Sequence, residues 1–155
     1  MNDIQVSFVS RSALEALPLL HVLAMDRNRL TDESFQAPLG GMIAEIDFSN
    51  NFLQHVPVLN SAMTDLELRA NAIKYVRAAD LHAAPRLRTL DMSYNGLTRI
   101  ENGAFDRLYD LERVDLNSHD FECDCLISDL KSFLTNDHVH EDALKSIMCA
   151  NEQHR

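Results

Sequence analysis

Cys123 and Cys125 stand one residue apart in the stretch Glu-Cys-Asp-Cys, and the third cysteine, Cys149, follows 24 residues after Cys125. Three thiols near His119, His138, His140 and His154 could make a Cys3His zinc site, a redox dithiol or part of a disulfide framework. The spacing speaks against the first two. Zinc pairs usually come as Cys-x2-4-Cys, and redox pairs as Cys-x-x-Cys. Other reactive side chains form no recognisable machinery. Ser93 and Ser118 have no histidine in a nucleophile motif, and neither a phosphate loop nor His-Glu-x-x-His occurs. The expectation is a non-enzymatic chain with no catalytic residues, no cofactor and no resident metal.

What positions these groups is a repeat. Leu-x-x-Leu-x-Leu-x-x-Asn-x-Leu recurs as LHVLAMDRNRL from Leu20, IAEIDFSNNFL from Ile43, MTDLELRANAI from Met63 and LRTLDMSYNGL from Leu87. A fifth copy, LERVDLNSHDF from Leu111, places His119 in the asparagine slot, where a ring nitrogen can keep the hydrogen-bonding role. The starts are spaced 23, 20, 24 and 24 residues, within the range of leucine-rich repeats. Each unit reads as a short strand and a return segment. Leu90 and Met92 point inward, and Asp91 and Ser93 outward. Neighbouring strands joined by long crossings pair in parallel. Asn28, Asn51, Asn71 and Asn95 then form a structural ladder, each amide serving backbone groups of a sharp turn.

The expected fold is an α/β solenoid: a right-handed, curved leucine-rich repeat coil of five short parallel strands with irregular return segments and a helical C-terminal cap. Residues 20–118 carry the five strands. Residues 1–19 match the return half of a repeat, with Val6 and Val9 falling where Leu97 and Ile100 fall, so the chain is read as a fragment of a longer array. Residues 119–155 form the cysteine-containing cap, with Leu126, Ile127, Leu130, Phe133 and Leu134 at helical spacing.

The 155 residues carry 24 acidic against 14 basic side chains, a formal charge of −10. That balance disfavours nucleic acid and anionic lipid as partners. No stretch reaches the roughly 18 apolar residues of a membrane span, so no direct membrane contact is expected of this segment. No signal peptide and no Asn-x-Ser/Thr sequon are readable.

The repeats and the Cys-x-Cys run followed by Phe133-Leu134 resemble the extracellular leucine-rich repeat family with a cysteine-rich C-terminal flanking cap, and the 24-residue units resemble those of Toll-like receptor ectodomains and insect leucine-rich immune proteins. His119 and Asp120 stand where that cap has Asn and Pro. The resemblance implies a Cys123–Cys149 disulfide, an unpaired Cys125 able to link two copies, and a location that is secreted or on the extracellular side of a receptor. It also implies non-catalytic protein recognition, in innate immunity or, alternatively, in adhesion, guidance or matrix assembly. A Cys3His zinc protein is the remaining reading.

Outward strand positions define the face a protein partner would meet. They read Val22, Ala24, Asp26 and Arg27; Glu45, Asp47, Ser49 and Asn50; Asp65, Glu67, Arg69 and Ala70; Thr89, Asp91, Ser93 and Tyr94; Arg113, Asp115, Asn117 and Ser118. A basic partner on this concave face would engage Glu45, Asp47, Asp65, Glu67, Asp91 and Asp115, with Arg69, Tyr94 and Arg113 as anchors.

Overall fold

Parallel pairing of the strand halves organises the chain. The structure is a computed structural model that describes residues 5–35, 39 and 41–117. In chain order the elements are helix α1 (Arg11–Glu15), β1 (Val22–Ala24), a 3-10 turn (Asp32–Ser34), β2 (Glu45–Asp47), β3 (Asp65–Glu67), β4 (Tyr75–Val76), α2 (Ala78–His82), β5 (Thr89–Asp91), β6 (Arg99–Ile100) and β7 (Arg113–Asp115). β1, β2, β3, β5 and β7 make a five-stranded sheet in that order, and β4 and β6 make a two-stranded one. Every pairing is parallel, with the register Leu23, Ile46, Leu66, Leu90, Val114 running straight across the large sheet. This is the parallel-strand solenoid that the repeat spacing predicts.

The core is a stack of columns. Ile43, Met63, Leu87 and Leu111 open the units, Ile46, Leu66, Leu90 and Val114 centre the strands, and Phe48, Leu68, Met92 and Leu116 close them, all buried. Leu30, Leu53, Ile73 and Leu97 begin the return segments and are equally buried. A fully buried aliphatic side chain stabilises by about 1.5 to 3 kcal/mol relative to exposure, so the columns supply the main cohesion between units. Phe35 stacks on Phe48 with ring centroids 5.0 Å apart. That contact joins the first return segment to the buried residues of the second unit.

Return segments differ from unit to unit. The first uses the 3-10 turn at Asp32–Ser34, the third uses α2, and the fourth a run of turns around Gly103. At the N-terminal side, Ser10 caps α1 by accepting the Ala13 N–H. Val9 forms a parallel bridge with Phe35. The Val6 N–H donates to Asn28 Oδ1 at 2.9 Å, as Leu30, Leu53 and Ile73 donate to Asn51, Asn71 and Asn95. No helix of the described residues is long and apolar enough to cross a membrane.

Candidate functional site

The outer face of the large sheet is positioned from one edge by the turns that follow each strand. There the backbone must reverse, and the residue before each ladder asparagine takes a left-handed conformation: Arg27, Asn50, Ala70 and Tyr94 have φ of 54°, 56°, 52° and 57°. Except for asparagine and glycine this conformation carries a Cβ penalty, so the fold must hold it from outside. The asparagines do so. Asn95 Nδ2 donates to its own unit at Met92 O (3.0 Å) and Ser93 O (3.3 Å) and to the preceding unit at Leu68 O (2.8 Å). Its Oδ1 accepts the Ile73 N–H at 3.1 Å. Asn51 and Asn71 repeat the pattern, and Asn28 bonds Met25 O, Asp26 O and the Val6 N–H.

A second set of turn bonds comes from the acidic column. Asp47 Oδ1 accepts the Ser49 N–H at 2.9 Å, Asp91 Oδ1 accepts the Ser93 N–H at 2.8 Å, and Asp115 Oδ1 accepts the Asn117 N–H at 2.9 Å. Ser93 Oγ also donates to Asp91 Oδ1 at 2.6 Å. These aspartates therefore hold the turn two residues on, the habit of short acidic side chains in turns. Glu67 occupies the same column one strand away and makes no such bond among the described residues. Burial pushes its carboxyl above the ordinary glutamate range; Asp47, Asp91 and Asp65 push it the same way, and Arg113 opposes them.

Ser49 and Ser93 are buried rather than outward-facing. The alternation of a strand ends at the aspartate, and the turn swings the following serine beneath it. The serine signal was present as Asp-x-Ser or Asp-x-Asn in three units, a spacing that marks a turn rather than one more outward step. The left-handed positions carried a weaker signal, since only Asn50 is of a residue type that favours them.

Val22, Glu45, Ile46, Asp47, Asp65 and Glu67 line a shallow depression of about 260 Å³ on this face. Arg69 lies over the Tyr94 ring, its guanidinium carbon 4.3 Å from the centroid, and its Nη1 reaches Ser93 Oγ at 3.4 Å. Arg113 and Asp115 belong to β7, next to Thr89 and Asp91 of β5. The face thus divides into an acidic part on β2 and β3 and a mixed part on β5 and β7.

A leucine rich repeat family model matches residues 61–121, the stretch that holds β3, β5 and β7 and the ladder residues Asn71 and Asn95. The chain is a leucine-rich repeat solenoid. Podocan-like protein 1 of Mus musculus is 32% identical over 123 residues, covering 76% of this chain and 22% of that protein. Its Homo sapiens counterpart is 35% identical over 96 residues, covering 59% and 19%. The leucine-rich repeat chain therefore spans about a fifth of the length of these curated relatives. A chain of the solved octameric complex of Latrophilin 3, Unc5D and FLRT2 shares the fold, with a TM-score of 0.82 at 24% identity over 90% of this chain and 45% of that one.

Cys123, Cys125, Cys149, Ser118 and the histidines His119, His138, His140 and His154 lie outside the described residues, as does the expected helical cap. Among the described residues no group of three or more His, Cys, Asp or Glu side chains is placed to hold a metal ion. His21 is exposed, with Nδ1 3.1 Å from Met42 O.

Proposed function

We infer that this leucine-rich repeat solenoid recognises a protein partner outside the cell, and that the partner brings a basic segment to the acidic part of the sheet face. The observation that carries this reading is the depression lined by Glu45, Asp47, Asp65 and Glu67 together with Val22 and Ile46. Of these acids, Asp47 is occupied with its own turn, and Asp65 Oδ2 accepts the Thr64 hydroxyl at 2.7 Å. Glu45 and Glu67 are exposed and Asp65 is half-buried. Glu67 is repelled by its neighbours, so a lysine or arginine arriving there relieves a repulsion as well as adding an attraction. Arg69, Tyr94 and Arg113 flank the acids and give the docking segment an orientation.

The biological setting proposed is adhesion, guidance or matrix assembly. It is supported by the likeness to podocan-like protein 1 and, at the level of fold, to a chain from a complex containing FLRT2, Latrophilin 3 and Unc5D. Innate immune recognition is the second reading, favoured by the regular 24-residue units from Met63 to Leu111. An extracellular location goes with a Cys123–Cys149 disulfide and an unpaired Cys125 able to join two copies.

The test uses the full chain and an oligolysine probe, with an oligoglutamate probe as control, titrated across a salt series. Glu45→Lys, Asp65→Lys and Glu67→Lys combined should abolish oligolysine binding and flatten its salt dependence, while circular dichroism and the thermal midpoint show the fold intact. Equal affinity and equal salt slope in the triple variant and the parent would overturn the acidic-face reading.

A further inference from the structure

The two Asn-Gly pairs of the chain, Asn95-Gly96 and Asn102-Gly103, stand in opposite surroundings. We propose that Asn102 is a site of spontaneous covalent modification by water, converting to aspartate and isoaspartate in the folded protein, while Asn95 is protected by the ladder.

The reaction needs a flexible asparagine side chain and an unhindered following amide nitrogen. In the first step the Gly103 nitrogen, having lost its proton to solvent base, attacks Cγ of Asn102. A nitrogen–carbon bond forms, the Cγ–Nδ2 bond breaks, and ammonia leaves with the proton it takes from water. The five-membered succinimide is then opened by a water molecule at either carbonyl. One opening restores the normal chain as aspartate; the other routes the chain through the side-chain carbonyl as isoaspartate. No oxidant or reductant is involved.

Asn102 meets both needs. It is exposed, it sits in a turn, and its amide makes no hydrogen bond among the described residues. The next residue must be glycine for a structural reason: Gly103 has φ of 73°, and a Cβ there would come within 2.9 Å of Asp106 Oδ2. The conformation that demands glycine also leaves the attacking nitrogen without a side chain beside it, and the Gly103 N–H donates no hydrogen bond among the described residues. Asn95 has the same neighbour but not the same freedom. It is 6% exposed, its Nδ2 is shared among three carbonyls, and its Oδ1 accepts the Ile73 N–H. It can react only after local opening of the ladder, which slows it by roughly a hundredfold or more.

The product would not be silent. The Gly103 carbonyl lies 2.8 Å from His82 Nε2, a tie between the third and fourth return segments. Isoaspartate inserts a methylene into the main chain at residue 102, in the residue preceding the one that carries that carbonyl. It also places a new carboxylate next to Glu101, whose Oε2 accepts the Ala78 N–H at 2.7 Å.

The experiment holds the full folded chain in mildly alkaline buffer made with heavy-oxygen water and follows both sites by peptide mapping and mass spectrometry. Expected is heavy-oxygen aspartate plus isoaspartate at Asn102, with Asn95 converting about a hundredfold more slowly, and with the difference disappearing in denaturant. An Asn102→Gln variant should remove the product at that position. Retention of the Asn102 amide in the folded chain, or equal rates at the two sites, would overturn the proposal.

Discussion

The two sides of the coil are held together by different means. On the turn side, the first four units repeat one solution, a left-handed residue followed by an asparagine that bridges to a neighbouring segment, and in the second, fourth and fifth units an aspartate holds the turn. On the return side, each junction is its own. Units three and four are joined by main-chain bonds, Thr98 N to Lys74 O at 2.9 Å and Glu101 N to Val76 O at 2.9 Å. Units one and two are joined by one main-chain bond, Phe52 N to Leu30 O at 2.8 Å, and further along by a side chain. Asp32 Oδ1 accepts the Gln54 and His55 N–H groups at 2.9 and 3.1 Å, and Asp32 Oδ2 meets His55 Nδ1 at 2.7 Å. Sharp reversal of a buried backbone leaves polar groups that only one geometry satisfies. A longer crossing over an apolar stack needs only its anchors in place, and many sequences supply those.

The largest test of this contrast is Asn95→Ala. It strands Leu68 O, Met92 O and the Ile73 N–H in the interior, and at about 1 kcal/mol or more for each buried group left unpaired it should cost about 3 kcal/mol in urea unfolding. A loss below about 1 kcal/mol, the level of an exposed ion pair, would erase the distinction between the two sides.

Within the acidic column, Asp91→Ala and Glu67→Gln should move in opposite directions. Asp91 holds the Ser93 N–H and Oγ, so its loss should cost about 1 to 2 kcal/mol. The Glu67 carboxyl is raised above its ordinary value, first by burial and then by Asp47, Asp91 and Asp65. An acid with a raised folded-state pKa destabilises the fold when ionised. That penalty is present above the folded pKa and vanishes as pH falls below the unfolded value of about 4.3. Glu67→Gln should therefore stabilise by less than about 0.5 kcal/mol at neutral pH, solvent screening keeping it small, and should do nothing in strong acid. Thermal midpoints of both variants at the two pH values measure this. Destabilisation by Glu67→Gln would mean that Glu67, too, is a turn residue.

The smallest effect belongs to the return side. Burial alone would raise Asp32, but hydrogen bonds from the His55 side chain and from the Gln54 and His55 N–H groups, with the His55 charge, bring it below its ordinary value. A lowered carboxyl stabilises the fold above the unfolded pKa of about 3.9, and the contribution is lost as pH falls through the folded value. Asp32→Asn should cost less than about 1 kcal/mol at neutral pH and leave the chain indifferent to that carboxyl in acid. If the urea midpoint of Asp32→Asn fell as far as that of Asn95→Ala, the return side would be as tightly specified as the turn side.

The strands were legible from the sequence because a period of 20 to 24 residues superimposes five copies of one pattern, and alternation within each copy assigns an inner and an outer face. The asparagine positions followed, since a buried reversing backbone needs one side chain with both donors and an acceptor. What alternation could not carry was the point where each strand stops. Ser49 and Ser93 continue the outward step in sequence yet lie buried, because the chain has already begun to turn. The five acids of the outward strand positions on β2, β3 and β5 are likewise alike in composition, but Asp47 and Asp91 accept backbone N–H groups two residues on and Asp65 accepts the Thr64 hydroxyl, while Glu45 and Glu67 at the depression accept no backbone N–H of a turn among the described residues. The repeat by itself determined which residues share the outer face. Only the folded turns decided which of their carboxylates are committed to the backbone, because that depends on where an N–H points in space and not on the order of residues along the chain.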